Sequence, residues 1–439
     1  MQRLSNKQLV FISFMLFSMF FGAGNLIFPA FLGRASGTET WISMAGFIIS
    51  AVGLPILGVI AVAKLGGLDV IGGRVSPLFS ILFPVIIYIS IGPLMAIPRC
   101  ATVAFEMGVK PYMSSDEGML GIALIIYSIV FFCIVLWLSL SPSKLVDRFG
   151  KLLTPTLLVL ILIILIKSIV TPLGGTTSPT EAYSEGPFFK GFLDGYLTMD
   201  LLASLAFGIV IANTIRTQGI TNKRSISFSM MVAGLGAGAL LAIIYSILGF
   251  LGASSGAAFG ETDNGASVLT QVMEQLFGNG GIILLGAIFT IACLCVSIGL
   301  VISCSEYFTN LIPRLSYKQW AIVLTVLSGL IANMGLNAIL SFSVPVLGMI
   351  YPIAVVLILL VFMDDLINSS RVVYVLGISL TAIFSILDTL NNTLLDKKIT
   401  NLLQIMPFYE LGIGWILPGI VGIIIGLIIH KFTHKPTEA

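Results

Sequence analysis

The sequence predicts an all-α polytopic membrane protein with about twelve transmembrane helices. Hydrophobic residues make up 57% of the 439-residue chain, and charged residues make up only 10%. A soluble domain carries about 25% charged residues, whereas runs of about 20 apolar residues are long enough to cross a bilayer. The chain is therefore expected to lie in a lipid bilayer. Its net charge of +2 gives no indication of nucleic-acid binding.

Apolar windows divide the chain into twelve predicted spans with short connections, so residues 1–439 are expected to form a single integral domain. The third and eighth spans are the longest and are expected to tilt strongly. Polar segments at 171–190 and 254–281 separate some spans, and the second segment contains a short helix predicted at 266–276. The spans are predicted at about 8–31, 41–64, 77–105, 119–139, 149–170, 191–215, 226–251, 282–311, 318–334, 338–363, 372–388 and 411–430.

Basic residues indicate the orientation of the spans. If the N-terminus lies in the cytoplasm, fifteen of the 22 Lys and Arg residues fall on the cytoplasmic side, where positive residues concentrate in membrane proteins. We therefore expect both termini in the cytoplasm. The fifteen are Arg3, Lys7, Lys64, Arg74, Lys144, Arg148, Lys151, Arg216, Lys223, Arg224, Arg314, Lys318, Arg371, Lys431 and Lys435.

The first span contains a predicted break in its helix. Gly22, Gly24 and Asn25 weaken the helix at a depth where broken backbone is tolerated only if it is buried in protein or lines a cavity. Carbonyl groups up to Phe21 would then be free to bind a cation or an amine, and the amides from Ala23 onward to bind a carboxylate. The alternative is that the two glycines only let a neighbouring helix approach closely.

Span six is predicted to repeat this feature. The run Leu201–Gly208 places Ser204 and Gly208 at mid-membrane, shortly after Asp194 and Asp200. The sixth span follows the first by five positions, which is an odd number, so span one enters from the cytoplasm and span six from outside. Two repeats that begin with these spans would have opposite orientation, as in transporters built from inverted repeats. The alternative for span six is a flexible, packed helix.

Several runs resemble the bacterial branched-chain amino-acid carrier (BrnQ-type) family. The first is Gly22–Pro29 (GAGNLIFP), which is followed by Gly33 and Arg34. Two further runs, Gly92–Arg99 (GPLMAIPR) and Gly208–Asn213 (GIVIAN), extend the resemblance over essentially the whole chain. The resemblance implies a location in the bacterial inner membrane.

That family is similar to LeuT-fold transporters, which have two inverted five-helix repeats and discontinuous first and sixth helices. Their cores share a GxGNxxFP run in helix one and an SLxFG run in helix six, which correspond to Gly22–Pro29 and Ser204–Gly208. The resemblance implies one repeat at about 8–170, a second at about 191–363 and two extra helices at about 372–430.

The resemblance also implies a substrate site between the two discontinuous helices. The amides of Ala23 and Gly24 would bind a carboxylate, and carbonyl groups near Phe20 and Leu201, with Ser204 close by, would bind an ammonium group. Apolar side chains would surround an aliphatic substrate. This side-chain pocket is implied at Met95, Phe207 and Val301, although each of these is equally interpretable as an ordinary core residue.

A sodium ion is implied by the same resemblance. Its ligands would be the carbonyl groups of Ser18 and Phe21 and the hydroxyl of Ser297 in span eight. A second sodium site in LeuT-fold relatives uses the asparagine matched by Asn25 and a threonine, but Leu202 occupies the threonine position, so a single sodium is expected. The alternative for Ser297 is a hydrogen bond to its own helix.

Arg99 is a charged residue inside span three, and such residues are costly and usually functional or paired. Its candidate partners are Asp194, Asp200 and Glu106. Arg99 is interpreted either as an outer gate or as one half of a structural ion pair.

These observations predict a secondary symporter that imports leucine, isoleucine and valine together with sodium. Proton coupling is the nearest alternative, followed by a channel or a membrane enzyme. The two histidines, His430 and His434, lie at the tail, so neither a metal cluster nor an internal histidine base is indicated. No cofactor beyond the coupling ion is expected.

Overall fold

The computed structural model describes residues 4–113, 116–140, 154–259, 262 and 264–433. Within these ranges the regular secondary structure is helical, without a β-strand. Nine helices of the described part are long and apolar enough to cross a membrane, and three shorter apolar helices accompany them. The predicted all-α membrane fold is confirmed.

The helices are numbered here in chain order. They are α1 (Asn6–Phe20), α2 (Ala23–Ser36), α3 (Thr40–Ile48), α4 (Leu54–Leu65), α5 (Leu68–Gly73), α6 (Phe79–Ile89), α7 (Ala96–Gly108), α8 (Glu117–Ser139), α9 (Thr154–Val170), α10 (Glu181–Ser184), α11 (Pro187–Asp194), α12 (Asp200–Thr217), α13 (Lys223–Ser254), α14 (Gly265–Leu311), α15 (Tyr317–Ala332), α16 (Leu336–Phe362), α17 (Arg371–Thr393), α18 (Thr400–Leu403) and α19 (Ile416–Thr433).

Each of the twelve predicted spans corresponds to one or two of these helices. The first span is α1 and α2, the second is α3 and α4 joined by a π-helical turn, the third is α6 and α7, and the sixth is α11 and α12. Residues 149–153, predicted to begin span five, lie outside the described residues. The last span begins at Ile416 rather than at 411, because the preceding residues form turns in which Gly412 has a φ of 74°.

Span one is broken where the sequence predicts it. α1 ends at Phe20 and α2 begins at Ala23. Between them Phe21 has φ −73° and ψ 90°, and Gly22 has φ −122° and ψ −163°, so neither residue is helical. The two half-helices are therefore separate elements in the middle of the membrane.

Span six is also broken, but the predicted position at Ser204–Gly208 is wrong. α12 is continuous from Asp200 to Thr217, and the break precedes it. A 3₁₀ segment, Gly195–Thr198, follows α11, and Met199 then takes a left-handed conformation with φ 65°. The break therefore lies at Gly195–Met199.

The small residues of α12 have a packing role instead. A Cβ added to Gly58 of α4 would collide with the hydroxyl of Ser204, and one added to Gly208 would lie 2.7 Å from the side chain of Val62. Ser204 and Gly208 thus face α4 and let the two helices approach closely. For this run the structure supports the packed-helix alternative.

Spans three and eight are bent as well as long. In span three a π-helical turn, Ser90–Leu94, contains a non-helical residue, Gly92, with φ −86° and ψ −120°. In span eight the predicted short helix and the predicted span form the single helix α14, which is bent at Gly278 with φ 60° and ψ −154°. Span three therefore contains a third break at mid-membrane, which the sequence analysis did not predict.

Candidate functional site

The breaks in spans one, three and six converge on one small cavity of about 30 Å³. Its polar side consists of the first residues of α2, the guanidinium of Arg99 and the break before Asp200. Its apolar side includes Phe20, Phe207 and Val296. A space of this size holds only one or two water molecules. The cavity is therefore small and closed, and it has a polar end and an apolar end.

The break in span one exposes backbone groups on both of its sides. The N–H of Gly22 donates to the side-chain oxygen of Asn25 at 3.1 Å. In a continuous helix that N–H would bond the carbonyl of Ser18, so the break releases this carbonyl. α1 closes with the N–H of Phe21 bonded to the carbonyl of Phe17 at 2.8 Å. The first amides of α2 have no partner within their helix, so carbonyl groups face amides across the break.

Asn25 connects the broken span to two other helices. Its side-chain NH₂ group donates to the carboxylate of Asp200 and to the hydroxyl of Tyr245, and the Tyr245 hydroxyl donates to the same carboxylate oxygen at 3.0 Å. All three side chains are buried. Asp200 begins α12 and Tyr245 lies in α13, so this network joins α2, α12 and α13.

This network is not predicted from the sequence. From the sequence, Asp200 is expected only as a residue preceding the run in span six and as a candidate partner for Arg99, and Tyr245 is not singled out. The available signal was the tyrosine hydroxyl inside an apolar span, because a buried hydroxyl requires a polar partner.

Arg99 contacts both of the other breaks. Its guanidinium donates to the carbonyl groups of Leu197 at 2.6 Å and Thr198 at 3.4 Å, in the 3₁₀ segment of span six. It also lies over the ring of Phe28 in α2, 5.4 Å from the ring centre. A Cβ added to Gly24 would lie 2.7 Å from a terminal nitrogen of Arg99. The guanidinium therefore occupies the space between α2 and the break in span six.

Of the two interpretations of Arg99, the structural ion pair is not present among the described residues. The three candidate carboxylates all have other partners, and in the described part of the chain none lies within 4.0 Å of the guanidinium. Asp194 bonds Lys190, Glu106 pairs with Lys110 at 2.6 Å, and Asp200 bonds Asn25 and Tyr245.

Outside the spans, burial and the Asp194 carboxylate raise the pKa of Tyr183, which donates to that carboxylate.

Four of the predicted substrate residues line the cavity, and four do not. Those in the lining are Phe20, Ala23, Gly24 and Phe207. The other four are buried outside it, and those four are Met95, Leu201, Ser204 and Val301.

Helix rotation explains the difference. Because α12 begins at Asp200, residues 200, 203 and 207 share the face toward the cavity, while Ser204 faces α4. On α14 the cavity face carries Val296 and Leu300, one residue before Val301. In span three Ala96 replaces Met95 in the lining.

Two of the predicted sodium ligands, Ser18 and Ser297, do not line the cavity at the break. Ser18 lines a second cavity, and its hydroxyl bonds the carbonyl of Met15 at 2.8 Å. Ser297 is fully buried beside the thiol of Cys100, with which its hydroxyl interacts, and the hydroxyl makes no hydrogen bond to its own helix. The adjacent Val296, not Ser297, packs against Gly22 at the break.

The two glycines of span one meet side chains rather than the backbone of a neighbouring helix. A Cβ on Gly22 would lie 3.2 Å from the side chain of Val296, and one on Gly24 would meet Arg99. Close backbone approach occurs farther along α2, where a Cβ on Gly33 would collide with the carbonyl of Gly249. Gly22 thus lets the side chain of Val296 on α14 approach closely, and Gly24 leaves room for the guanidinium of Arg99.

The second cavity, of about 50 Å³, lies between α1, α12 and α14 on the side of the bundle toward the N-terminus. Ser18 and Ser303 contribute polar groups to it. Met19, Phe207 and Val296 line both cavities, so these apolar side chains form the partition between the two.

Comparison with known proteins decides the family. The profile of a family described as "Branched-chain amino acid transport protein" matches residues 5–433. The chain belongs to this branched-chain amino acid transport family. It is 46% identical to the branched-chain amino acid permease BraB of Bacillus subtilis over 430 residues, which are 97% of this chain and 96% of the relative. It is 40% identical to the branched-chain amino acid transport system 2 carrier protein of Pseudomonas aeruginosa over the full length of both.

Solved structures confirm the fold of this family member. The nucleobase-cation-symport-1 family transporter Mhp1, with bromovinylhydantoin bound, matches with a TM-score of 0.63 at 12% identity, over 97% of this chain and 93% of Mhp1. MhsT in complex with L-phenylalanine matches with a TM-score of 0.59 at 17% identity, over 99% of this chain and 100% of MhsT. The predicted LeuT-like fold is confirmed, and the chain is a multi-pass membrane transporter, not an enzyme.

Proposed function

We propose that this protein is a secondary symporter that imports leucine, isoleucine and valine across a bacterial cytoplasmic membrane, with sodium as the coupling ion. Both termini lie in the cytoplasm in this proposal, following the distribution of Lys and Arg residues. The substrate assignment is supported by the names of the relatives, which are branched-chain amino acid permeases.

The observation that carries the proposal is the polar-to-apolar cavity at the break between α1 and α2. The amides of Ala23 and Gly24 begin α2 at its positive end and line the cavity, so they suit a carboxylate. The released carbonyl groups at the end of α1, near Phe20, suit an ammonium group. Phe207 and its apolar neighbours suit an aliphatic side chain. An α-amino acid with an aliphatic side chain has these three parts.

Opening of the site is part of this proposal, because a cavity of about 30 Å³ is smaller than a leucine side chain requires. Phe20 and Phe207 approach each other with ring centres 6.3 Å apart and close the cavity on the apolar side. Side-chain rotation and movement of the half-helices would admit the substrate. Closed sites of this kind exclude water while substrate is bound.

Sodium coupling is proposed from the resemblance to LeuT-fold transporters. The proposed ligands are the released carbonyl of Ser18, the carbonyl of Phe21 and the buried Ser297 hydroxyl, with Asn25 at the neighbouring position. Ser18 and Ser297 do not line the closed cavity at the break, so these groups must come together to bind the ion. A sodium ion prefers several oxygen ligands, and a buried hydroxyl that has no hydrogen bond to an oxygen acceptor gains by binding a cation.

Proton coupling is the second candidate, and one observation favours it. Asp200 is a buried carboxylic acid at a helix break inside the membrane, and it is hydrogen-bonded to Asn25 and Tyr245. Ionisable groups at such positions serve as proton relays in many transporters. A change of Asp200→Asn would remove a proton-binding group while retaining a side chain of the same size.

Radiolabelled leucine uptake into proteoliposomes tests the proposal. Separate sodium and proton gradients are imposed, and accumulation is expected with sodium alone. Accumulation driven by a proton gradient without sodium, and abolished by Asp200→Asn, would contradict sodium coupling. Saturable uptake and counterflow of unlabelled leucine identify a carrier, whereas flux that neither saturates nor shows counterflow would identify a channel.

A further inference from the structure

The buried guanidinium of Arg99 has no described role in the chemistry above. It lies in the first turn of α7, which begins at Ala96 because the break at Gly92–Met95 ends the preceding helix. The side chain is buried, with 3% of its surface exposed, and it forms part of the cavity wall. The third break thus brings one permanent positive charge to the polar end of the cavity.

The hydrogen bonds of Arg99 leave part of this group unsatisfied. The guanidinium donates to the carbonyl oxygens of Leu197 and Thr198. Its Nε atom has no hydrogen-bond partner within the described ranges. Carbonyl dipoles compensate only part of a full charge. A buried cation that lacks an anionic partner is strongly unfavourable, so this position favours any anion that reaches it.

The fixed carboxylates do not supply that anion. Asp200 is the acidic residue in the same cavity wall, but Asn25 and Tyr245 hold its carboxylate more than 4.0 Å from the guanidinium. Asp194 and Glu106 are paired with lysines. Among the described residues, the carboxylates and the Cys100 thiol near the guanidinium form no ion pair with it within 4.0 Å, so the position is open to an anionic ligand.

The geometry specifies where the anion binds. The guanidinium lies directly against Gly24, the second residue of α2, since an added Cβ there would be 2.7 Å from a terminal nitrogen of Arg99. The amides that begin α2 line the same cavity. A carboxylate at this point would receive backbone N–H groups from one side and guanidinium N–H groups from the other. Guanidinium groups match planar carboxylates with two parallel hydrogen bonds.

We infer that Arg99 binds the carboxylate of the transported amino acid together with the N-terminus of α2. This inference rests on the proposed amino-acid substrate, and it assigns to Arg99 a direct contact with the substrate rather than a role only in gating. It also explains why span three is broken, since the break starts α7 at a point from which Arg99 reaches α2.

A binding experiment with two ligands tests this inference. Purified protein in lipid nanodiscs is titrated with leucine and with leucinamide, which has the same side chain and amino group but no carboxylate. Wild type is expected to prefer leucine over leucinamide strongly. In Arg99→Gln the affinity for leucine is expected to fall about 10- to 100-fold, as for a lost hydrogen bond to a charged group, while that for leucinamide changes little. The preference ratio is therefore expected to fall by the same factor, with the remaining preference due to the amides of α2.

Two further variants complete the design. Arg99→Lys retains the positive charge but lacks the planar guanidinium that can donate two parallel hydrogen bonds. Its preference ratio is therefore expected to lie between those of wild type and Arg99→Gln. This variant also keeps the test decisive if Arg99→Gln does not fold. Lys110→Gln, beyond the end of α7, is the matched control and is expected to leave both affinities unchanged.

The outcomes are distinguishable. Equal losses of leucine and leucinamide binding in both Arg99 variants would overturn the inference, because a purely structural role weakens every ligand alike. Unchanged leucine affinity in Arg99→Gln would also overturn it. If wild type binds no leucine at all, the proposed function fails instead.

Discussion

The side chain of Asn25 hydrogen-bonds the carboxylate of Asp200 across 175 positions of sequence. Asn25 lies in the first turn of α2, and Asp200 is the first residue of α12. The two half-helices that begin at the breaks in spans one and six are therefore connected directly, and Tyr245 connects both of them to α13. This connection fixes the polar end of the cavity.

Substitution of Asn25→Ala should destabilise the protein and impair transport. The change removes a donor to the buried side chain of Asp200 and the acceptor of the Gly22 N–H. A hydrogen bond between neutral groups contributes about 0.5–1.5 kcal/mol, and one to a charged group about 1.5–3 kcal/mol. Thermal denaturation of the purified protein measures the effect. Asn392→Ala is the control, because Asn392 is an exposed asparagine bonded to Asp388. Similar stability of the two variants would contradict the role assigned to Asn25.

Leucine, isoleucine and valine should compete with one another for uptake. An apolar pocket discriminates between ligands that differ by one methylene by only about 1–3 kcal/mol. Alanine should compete poorly, because it fills little of the apolar end, and charged amino acids should compete poorly because that end cannot solvate a charge. Inhibition of labelled leucine uptake by each amino acid measures this. Equal inhibition by glutamate or lysine would show that the cavity is not the substrate site.

Substitution of Gly24→Ala should weaken leucine binding at any sodium concentration. The new Cβ would lie 2.7 Å from Arg99 and 3.2 Å from the ring of Phe28, so the guanidinium must move. Overpacking of this kind costs about 1–3 kcal/mol, which corresponds to a loss of about 5- to 150-fold in affinity.

Gly234→Ala on α13 is the matched control for this change, because its Cβ would lie at an ordinary 3.5 Å from Ile56. Gly24→Val, with its branched side chain, should have a larger effect than Gly24→Ala. Normal leucine binding by Gly24→Val would refute the assignment of the substrate site to the break in span one.

Substitution of Ser297→Ala should raise the sodium concentration needed for half-maximal uptake. If the hydroxyl is a sodium ligand, its loss leaves the ion with an incomplete oxygen shell. Leucine affinity should recover at saturating sodium, because the two ligands are linked thermodynamically. Ser305→Ala is the control on the same helix, since the Ser305 hydroxyl bonds the carbonyl of Val301 at 2.6 Å. An unchanged sodium dependence would show that Ser297 does not bind the coupling ion.

The break in span one is predictable because glycine and asparagine in the middle of an apolar run conflict with the backbone requirements of a bilayer. The break in span six is not predictable in the same way. It ends at Met199, which adopts a left-handed conformation although its side chain disfavours it, so tertiary contacts and not local sequence determine the position. Small residues at Ser204 and Gly208 give a misleading signal, because small residues serve helix packing as well.

Residue assignments within the site depend on helix rotation, and sequence alone does not determine this rotation. Each residue turns the helix by about 100°, so an error of one position moves a side chain out of the cavity. This is the case for Met95 and Val301, whose neighbours Ala96 and Leu300 line the cavity. The charge of Arg99 is evident from sequence, but its carbonyl partners depend on a break in span six that the sequence misplaces.

In the proposed sodium symporter, the partition formed by Met19, Phe207 and Val296 would determine how faithfully transport is coupled to the ion gradient. Only apolar side chains separate the two cavities there, so the barrier to an ion is the loss of its hydration shell rather than a thick layer of protein. A smaller residue at Phe207 would allow water to connect the cavities. Sodium would then leak through the protein without leucine, and the gradient would be dissipated instead of driving accumulation.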